Sequence, residues 1–302
     1  MHISLIGVPM YLGAGRRGVD MGPSAIRYAN IREKLTDLGH TVEDLGSVHV
    51  PEPTAPPARD NPLKYLDEVV CVANELAKRV ESVVRAGSTP IILGGDHSIS
   101  LGSGSGVANA VTSPGVIWFD AHTDFNNSKT SPSGNIHGMI LGALCGYGDP
   151  SVGDQALVEV AGGGPHIDPR HVVIVGARDI DMGERELLKR SGAHVFTMAD
   201  IDRHGMDRIT RDAIALASEG TAGIHVSFDL DGVDPKDAPG VGTPVPGGMT
   251  WREAHLAMEL VASSGKLLSL DLVEVNPILD EHNRTADLAA QLALSATGKR
   301  IM

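Results

Sequence analysis

Short apolar runs alternate with amphipathic segments along the chain, and this alternation predicts strands and helices in turn. Seven runs rich in aliphatic residues have the length of buried strands; they lie at residues 3–8, 90–93, 116–119, 172–175, 194–197, 224–228 and 267–273. The segment 63–84 carries apolar residues at helical spacing and is followed by Gly87, which can end a helix. Another helix is predicted to begin near Pro23, which fits a first helical turn. Further helices are predicted at 184–190, 207–217, 251–263 and 284–296.

Strands that alternate with helices predict a sheet covered on both faces, because each parallel crossover needs a connecting element of about a dozen residues. The expected fold is α/β, a three-layer αβα sandwich with a mainly parallel central sheet. The Pro-rich stretch 50–57 and the Gly-rich stretch 162–165 are too short for interdomain linkers and are interpreted as surface loops. Residues 1–302 are therefore predicted to form a single domain.

The composition limits the partners of this chain. Acidic residues outnumber basic ones by 38 to 25, and the formal charge of -13 repels nucleic-acid phosphates and anionic lipid surfaces. We therefore expect neither nucleic acid nor a membrane as a partner, and no stretch of the sequence reaches the roughly 20 apolar residues that a bilayer span needs. Cys71 and Cys145 lack metal-ligand spacing and are expected to be free thiols, and the chain starts directly with an apolar strand rather than a leader. These features predict a cytoplasmic protein.

Two predicted strands end in acidic clusters. The third strand leads into Asp120, His122 and Asp124, and the sixth leads into Asp229 and Asp231. In extended backbone alternate side chains lie on the same face, so the members of each cluster are expected to point at one centre. A single acidic residue at a strand end is most often a turn or helix cap. The metal interpretation therefore depends on several such clusters occurring together.

A third cluster, Gly94-Gly95-Asp96-His97-Ser98, follows the second predicted strand. Ligands of open α/β sheets bind beyond the carboxyl ends of the strands, so the three clusters are expected to meet in one crevice. Bringing at least four carboxylates and two imidazoles together would cost too much free energy, through repulsion between the carboxylates and through the loss of their hydration, unless cations neutralised them. Oxygen and imidazole ligands suit Mn²⁺, with Fe, Co or Ni as alternatives. Two such ions sharing one water would lower its pKa and supply hydroxide near neutral pH.

The three clusters resemble the signature motifs of the ureohydrolases, the family of arginases, agmatinases and formimidoylglutamases. The similarity extends from the loop at 13–23 to Glu274-Val275-Asn276-Pro277. The resemblance implies two Mn²⁺ ions per subunit, and it also implies a homo-oligomer, a trimer or a hexamer. The six metal ligands that it implies are His97, Asp120, His122, Asp124, Asp229 and Asp231.

The segment 126–138 is rich in neutral hydroxyl and amide donors, which suit a carboxylate. It resembles the loop with which arginases hold the α-carboxylate of the substrate, a group that agmatine lacks. By this resemblance His137 shuttles protons, Asp181 and Glu184 lie near the α-amino group, Glu274 pairs with the guanidinium, and Thr243 forms part of the pocket wall. The residues assigned to the carboxylate, directly or through water, are Asn126, Ser131, Ser133 and Asn135.

The resemblance implies metal-dependent hydrolysis of the guanidinium group of L-arginine, giving L-ornithine and urea, by a hydroxide that bridges the metals. In this hypothesis Asp124 takes the hydroxide proton and passes it to the leaving amine, Glu274 helps to hold the intermediate, and His137 exchanges protons with solvent. An alternative substrate is agmatine, guanidinobutyrate or hydroxyarginine. The other alternative is a metal-binding regulatory protein without activity, which the complete ligand set disfavours.

Overall fold

The computed structural model of the protein describes residues 1–149, 151, 153–162 and 166–300, and within them eight strands form one sheet. The strands pair in the lateral order β2-β1-β3-β8-β7-β4-β5-β6, and every pairing is parallel. The strands are β1 (His2–Val8), β2 (Thr41–Ser47), β3 (Thr89–Gly94), β4 (Gly115–Phe119), β5 (Val172–Ala177), β6 (His194–Thr197), β7 (Ile224–Asp229) and β8 (Leu267–Val273).

Helices cover both faces of this sheet. They are α1 (Gly22–Tyr28), α2 (Ile31–Asp37), α3 (Leu66–Arg85), α4 (Ser100–Ala110), α5 (Ile140–Leu144), α6 (Gln155–Val158), α7 (Met182–Ser191), α8 (Met198–His204), α9 (Met206–Ser218), α10 (Trp251–Ser264) and α11 (Arg284–Ala296). Alternate residues of β4 belong to different cores: Ile117 and Phe119 pack with α1, α2 and α8 to α11, whereas Val116 and Trp118 pack with α3 to α7. The predicted α/β sandwich with a parallel sheet is confirmed.

For two of the elements that the sequence pattern did not predict, β2 and α4, the structure shows why the pattern failed. The strand β2 lies at the edge of the sheet and is largely exposed, so its sequence lacks a long apolar run. The helix α4 is rich in Gly and Ser, which are weak helix formers. A Cβ at Gly102 would lie 2.6 Å from the Ala73 carbonyl oxygen, and one at Gly106 would lie 2.6 Å from that of Ala77. These glycines let α4 pack directly against the backbone of α3.

Other predictions from the sequence have mixed outcomes. Both cysteines are free, with Cys71 exposed and Cys145 buried. Of the helices described here, none is long and apolar enough to cross a bilayer. Most of the predicted loop at 162–165 falls on 163–165, outside the described residues. The single domain stays a prediction.

The carboxyl ends of β3, β8, β7 and β4 lie side by side at the middle of the sheet. From β3 the sheet continues through β1 to β2, and from β4 it continues through β5 to β6. Such a central position, with the sheet extending to either side, is where ligands bind in open α/β sheets. The fold therefore places the three acidic clusters in one location.

Candidate metal centre and active site

The first group of possible metal ligands surrounds His97, which follows β3. Its Nδ1 atom lies 3.2 Å from Asp120 Oδ2, 3.1 Å from Asp124 Oδ2 and 3.1 Å from Asp229 Oδ2. This nitrogen is buried and forms no hydrogen bond with the described residues. One buried, unpartnered nitrogen that faces three carboxylate oxygens is an arrangement that a cation would satisfy.

A second group lies beside the first and shares Asp120 with it. His122 Nδ1 lies 3.3 Å from Asp120 Oδ1 and 3.2 Å from Asp231 Oδ2. The potential ligand atoms of His97, Asp120 and Asp229 lie within 4.8 Å of one another, and so do those of Asp120, His122 and Asp231. Asp120 presents Oδ2 to the first group and Oδ1 to the second, so its carboxylate would help to hold a cation in either group. The donor set, carboxylate and imidazole, fits a pair of divalent ions.

The electrostatics of the groups also favour the binding of cations. Burial raises the pKa of Asp229 well above its usual value, and the charges of Asp231 and Asp120 raise it further. Burial, with a contribution from Asp120, raises the pKa of Asp124 to about 6. Burial lowers the pKa of His97, but the close approach of the surrounding carboxylates outweighs this and raises the pKa well above its usual value. The cluster thus carries more negative charge than its two imidazoles can balance, and divalent cations would relieve the repulsion.

Two acidic residues of the site have left-handed backbone, which is uncommon outside glycine. The φ angle is 48° at Asp124 and 65° at Glu274. Hydrogen bonds fix both conformations: the Asp124 carbonyl accepts from Leu141 N at 3.0 Å, and Glu274 N donates to the Gly95 carbonyl at 2.8 Å. Such conformations cost about 1 to 3 kcal/mol each and concentrate at functional sites. These are the two carboxylates to which the sequence assigned catalytic roles.

His137 and Glu274 form a pair behind the metal groups. Glu274 Oε1 accepts a hydrogen bond from His97 N at 2.9 Å and lies 3.1 Å from His137 Nδ1. Burial lowers the pKa of His137, but the bond to Glu274 and its charge outweigh this and raise the pKa to about 9. The His137 side chain is 19% exposed, whereas that of Glu274 is 2% exposed. The imidazole therefore connects a buried carboxylate with the cavity surface.

A cavity opens above the two groups. Its floor contains four of the predicted ligands, namely His122, Asp124, Asp229 and Asp231. Its walls contain most of the residues assigned to the substrate and the predicted proton shuttle, namely Asn126, Ser131, Ser133, His137, Asp181, Glu184 and Thr243. The cavity thus combines an acidic floor with a wall of neutral donors and further acids.

The acidic side of the wall is held together by hydrogen bonds. Asn126 Nδ2 donates to Asp181 Oδ2 at 3.0 Å. The two oxygens of Glu184 accept from Asp181 N at 2.9 Å and from Phe125 N at 3.2 Å, and burial raises the pKa of this side chain to about 7. Glu184 is buried, and Asp181 is exposed at the rim. Of the two, Asp181 is the one that a ligand entering from solvent meets first.

The loop of neutral donors uses several of its groups to fix its own turn. Ser131 Oγ accepts from Gly134 N at 3.1 Å, and Ser133 Oγ accepts from Asn135 N at 3.1 Å. The Asn135 side chain is directed at the N-terminal loop, where Nδ2 donates to the Ala14 carbonyl at 3.1 Å, and it is not part of the cavity wall. The two serine hydroxyls remain at the wall.

Comparison with known proteins decides the family. The family model described as Arginase family matches residues 1–298. The chain is 51% identical over 301 residues to an arginase of Brevibacillus brevis, covering 100% of this chain and 99% of that one. The chain belongs to the arginase family. The arginase-family resemblance of the sequence is thereby confirmed, and the chain is an amidinohydrolase.

Solved arginase structures support the same conclusion. The arginase of Bacillus caldovelox superposes with a TM-score of 0.94 at 49% identity, covering 99% of both chains. An arginase of Entamoeba histolytica, solved in complex with L-ornithine, superposes with a TM-score of 0.89 at 33% identity and 99% coverage of both chains. Enzymes of the arginase family are binuclear metal enzymes, and the two ligand groups that share Asp120 fit a binuclear centre.

Some residues of this arginase-family site were not identified from the sequence. Asp179 lines the cavity just after β5, next to β4 in the sheet. The sequence signal that could have identified Asp179 is its position just after the carboxyl end of β5. The preceding residue, Arg178, donates to the carbonyls of Asp231 at 2.7 Å and Gly232 at 3.1 Å, and so fixes the loop after β7. Asp96, within the third motif, accepts a hydrogen bond from Ala14 N at 3.0 Å and so anchors the N-terminal loop.

Proposed function

We propose that this arginase-family chain hydrolyses the guanidinium group of L-arginine to L-ornithine and urea with two Mn²⁺ ions per subunit. The observation that carries the proposal is that two ligand groups share Asp120 and that four of their other members line a cavity walled by neutral donors and acids. Carboxylate and imidazole ligands favour Mn²⁺ over metals that prefer thiolates. The proposed ligands are His97, Asp120, His122, Asp124, Asp229 and Asp231.

A pair of divalent cations, when bound, polarises water and so supplies a nucleophile near neutral pH. The protein residues then have to orient the substrate and move protons. Asp124 Oδ2 faces His97, while Oδ1 is on the side of Gly138, at the cavity wall. A carboxylate that reaches both the ligand groups and the cavity wall can accept a proton there and pass it on. We assign Asp124 the transfer of a proton to the leaving amine.

The pair of His137 and Glu274 completes the proton path. Glu274 uses Oε1 for His97 N and His137, and among the described residues no hydrogen bond is made to Oε2. Oε2 is therefore the atom proposed to pair with the guanidinium. His137, partly exposed and bonded to Glu274, exchanges protons between the cavity and solvent.

The walls of the cavity suit the amino-acid end of arginine. Hydroxyls and an amide, at Ser131, Ser133 and Asn126, are proposed to hold the α-carboxylate, with Asn135 acting through the turn that it stabilises or through water. Asp181 presents negative charge to the α-ammonium from the rim, and Glu184 adds charge from behind it. Thr243 Oγ1 donates to Asp231 Oδ2 at 2.9 Å and forms the opposite wall.

A urea-release assay tests the proposal, with the purified protein, added Mn²⁺, and L-arginine, agmatine, guanidinobutyrate and hydroxyarginine as substrates. We expect kcat/KM for L-arginine to exceed that for agmatine by about 100-fold, because the hydrogen bonds to the carboxylate are lost. His97→Ala is the inactive control, and metal analysis should show that it has lost metal as well as activity. Equal turnover of agmatine would overturn the assignment of L-arginine. Urea from none of the four compounds would favour a regulatory role.

We also propose three broader properties of the protein. The family resemblance supports a homo-oligomer, a trimer or hexamer, which light scattering in solution would measure. The free thiols of Cys71 and Cys145 are consistent with a reducing, cytoplasmic compartment. The shared sheet supports the single domain, for which one cooperative unfolding transition is expected.

A further inference from the structure

A row of polar side chains crosses the buried interior of the sheet beneath the metal groups. The register of β7 and β8 pairs Ser227 with Asp271 and His225 with Ser269. All four side chains have no solvent exposure. Buried polar groups in a sheet are costly unless they are hydrogen-bonded, so such a row requires an explanation.

Hydrogen bonds connect this row with a proposed metal ligand. Asp271 Oδ2 accepts from Ser100 Oγ at 2.7 Å and from Ser103 Oγ at 2.5 Å, both on α4. Ser100 Oγ lies 3.1 Å from Ser227 Oγ, and Ser227 Oγ lies 2.8 Å from His97 Nε2. We name Asp271, Ser100 and Ser227 the buried relay. None of its members lines the cavity.

The donor of every bond in the relay follows from its acidic end. The Oδ2 atom of Asp271 accepts, so the single hydroxyl hydrogen of Ser100 is used there. Ser100 can then only accept from Ser227, whose own single hydrogen is used in turn. Ser227 is left as an acceptor, and the His97 atom facing it, Nε2, must carry a hydrogen. Of the two ring nitrogens of His97, only Nδ1 is free to offer a lone pair, and Nδ1 faces the three carboxylates.

We propose that Asp271 is a positioning residue that acts through Ser100 and Ser227 to hold the hydrogen of His97 on Nε2 and leave Nδ1 as the metal-binding atom. The inference rests on the proposed function, because it takes His97 as a ligand. Groups that orient the ligating histidines of metal sites typically contribute about 10- to 100-fold to metal affinity. A purely structural role would stabilise the fold without favouring one of the two cation positions.

Two serines on α4 offer a matched pair of variants. Ser100 and Ser103 are both fully buried and both donate to the same oxygen of Asp271, but only Ser100 lies between Asp271 and His97. Ser100→Ala frees the hydroxyl hydrogen of Ser227 to turn towards His97 Nε2 and so removes the constraint on the ring. Ser103→Ala deletes a bond of the same kind outside the path.

The experiment is a Mn²⁺ titration of the wild type and both variants, with free Mn²⁺ followed by electron paramagnetic resonance and the melting temperature of each metal-free protein measured in parallel. We expect Ser100→Ala to weaken the binding of one Mn²⁺ ion by about 10-fold or more and to change the affinity for the other by no more than about two-fold, because His97 belongs to only one ligand group. Ser103→Ala should keep both affinities within about two-fold of the wild type, with a similar loss in melting temperature.

Three outcomes would overturn the inference. They are an equal loss of Mn²⁺ affinity in both variants, an equal loss of affinity for both ions in Ser100→Ala, and an unchanged Mn²⁺ affinity in Ser100→Ala. All three leave the wild type binding two ions and releasing urea. A wild type that binds no pair of ions contradicts the proposed function itself, so the two failures are distinguishable.

Discussion

At the scale of single residues, local spacing predicted which side chains meet but not how each is used. The six predicted ligands do come together, but an extended strand is not what aligns them: Asp124 has a φ angle of 48°, and Asp231 lies in the 3₁₀ turn Leu230–Gly232. The use of both oxygens of Asp120 and the turn of Asn135 away from the cavity depend on side-chain torsions and on contacts with the distant N-terminal loop. Such details are fixed by tertiary packing and leave no periodic trace in the sequence.

The proton path makes a prediction at one residue, His137. Its Nδ1 contacts Glu274 and none of the six proposed ligands, so His137→Asn should keep both ions while turnover falls by about 100-fold. The check is kcat for urea release together with metal content by atomic emission. Unchanged kcat would exclude His137 from the proton path, and loss of metal would show that the substitution disturbs the ligand groups.

At the scale of elements, the long apolar runs were predicted well, whereas several other elements, α4 and β2 among them, were missed. The reasons differ: α4 has poor helix propensity and is stabilised by its packing on α3, and β2 is an exposed edge strand held in part by a bidentate bond from Arg27. Arg27 Nε and Nη2 lie 2.8 and 2.9 Å from the Asp44 carboxylate. In both elements tertiary contacts outweigh local preference.

The packing of α4 gives a prediction that separates propensity from contact. Gly102→Ala and Gly104→Ala should gain the same helix propensity, about 1 kcal/mol. A Cβ at Gly102 meets the backbone oxygen of Ala73 at 2.6 Å, whereas one at Gly104 meets the flexible end of Leu144 at 2.9 Å. We expect Gly102→Ala to lower the free energy of unfolding by about 1 to 3 kcal/mol and Gly104→Ala to be near neutral. Denaturant titrations of both variants measure this, and equal stabilities would contradict the close contact of α4 with α3.

At the scale of the whole molecule, the alternation of elements predicted the parallel sheet and its two covered faces, but not the order of its strands. Ile92 in β3 pairs with Asp271 in β8, far away in the sequence. This pairing places the carboxyl end of β3, which leads into His97, next to the carboxyl end of β8, which leads into Glu274. Pairings at such separation are chosen by the packing of the complete chain, and no short window of sequence specifies them.

The charge of the assembled site makes the stability of the whole molecule depend on divalent cations. Four buried carboxylates, those of Asp120, Asp124, Asp229 and Asp231, converge with only two imidazoles. Chelation should therefore lower the melting temperature, and Mn²⁺ at about 100 times its Kd should restore about 2.7 kcal/mol per independent ion. For a chain of this size that corresponds to a shift of several degrees, which differential scanning calorimetry resolves.

The control for this prediction is Asp231→Ala, which removes one ligand of the second group and some of the repulsion at once. Its metal-free form should melt at or above the temperature of the metal-free wild type, and its response to Mn²⁺ should be reduced. Without metal the variant would then melt at or above the temperature of the wild type, and with Mn²⁺ it would melt below it. A simple loss of packing at position 231 would lower the melting temperature in both states. If chelation leaves the melting temperature of the wild type unchanged, the carboxylates are compensated within the protein, and the electrostatic argument for a bound pair of cations is wrong.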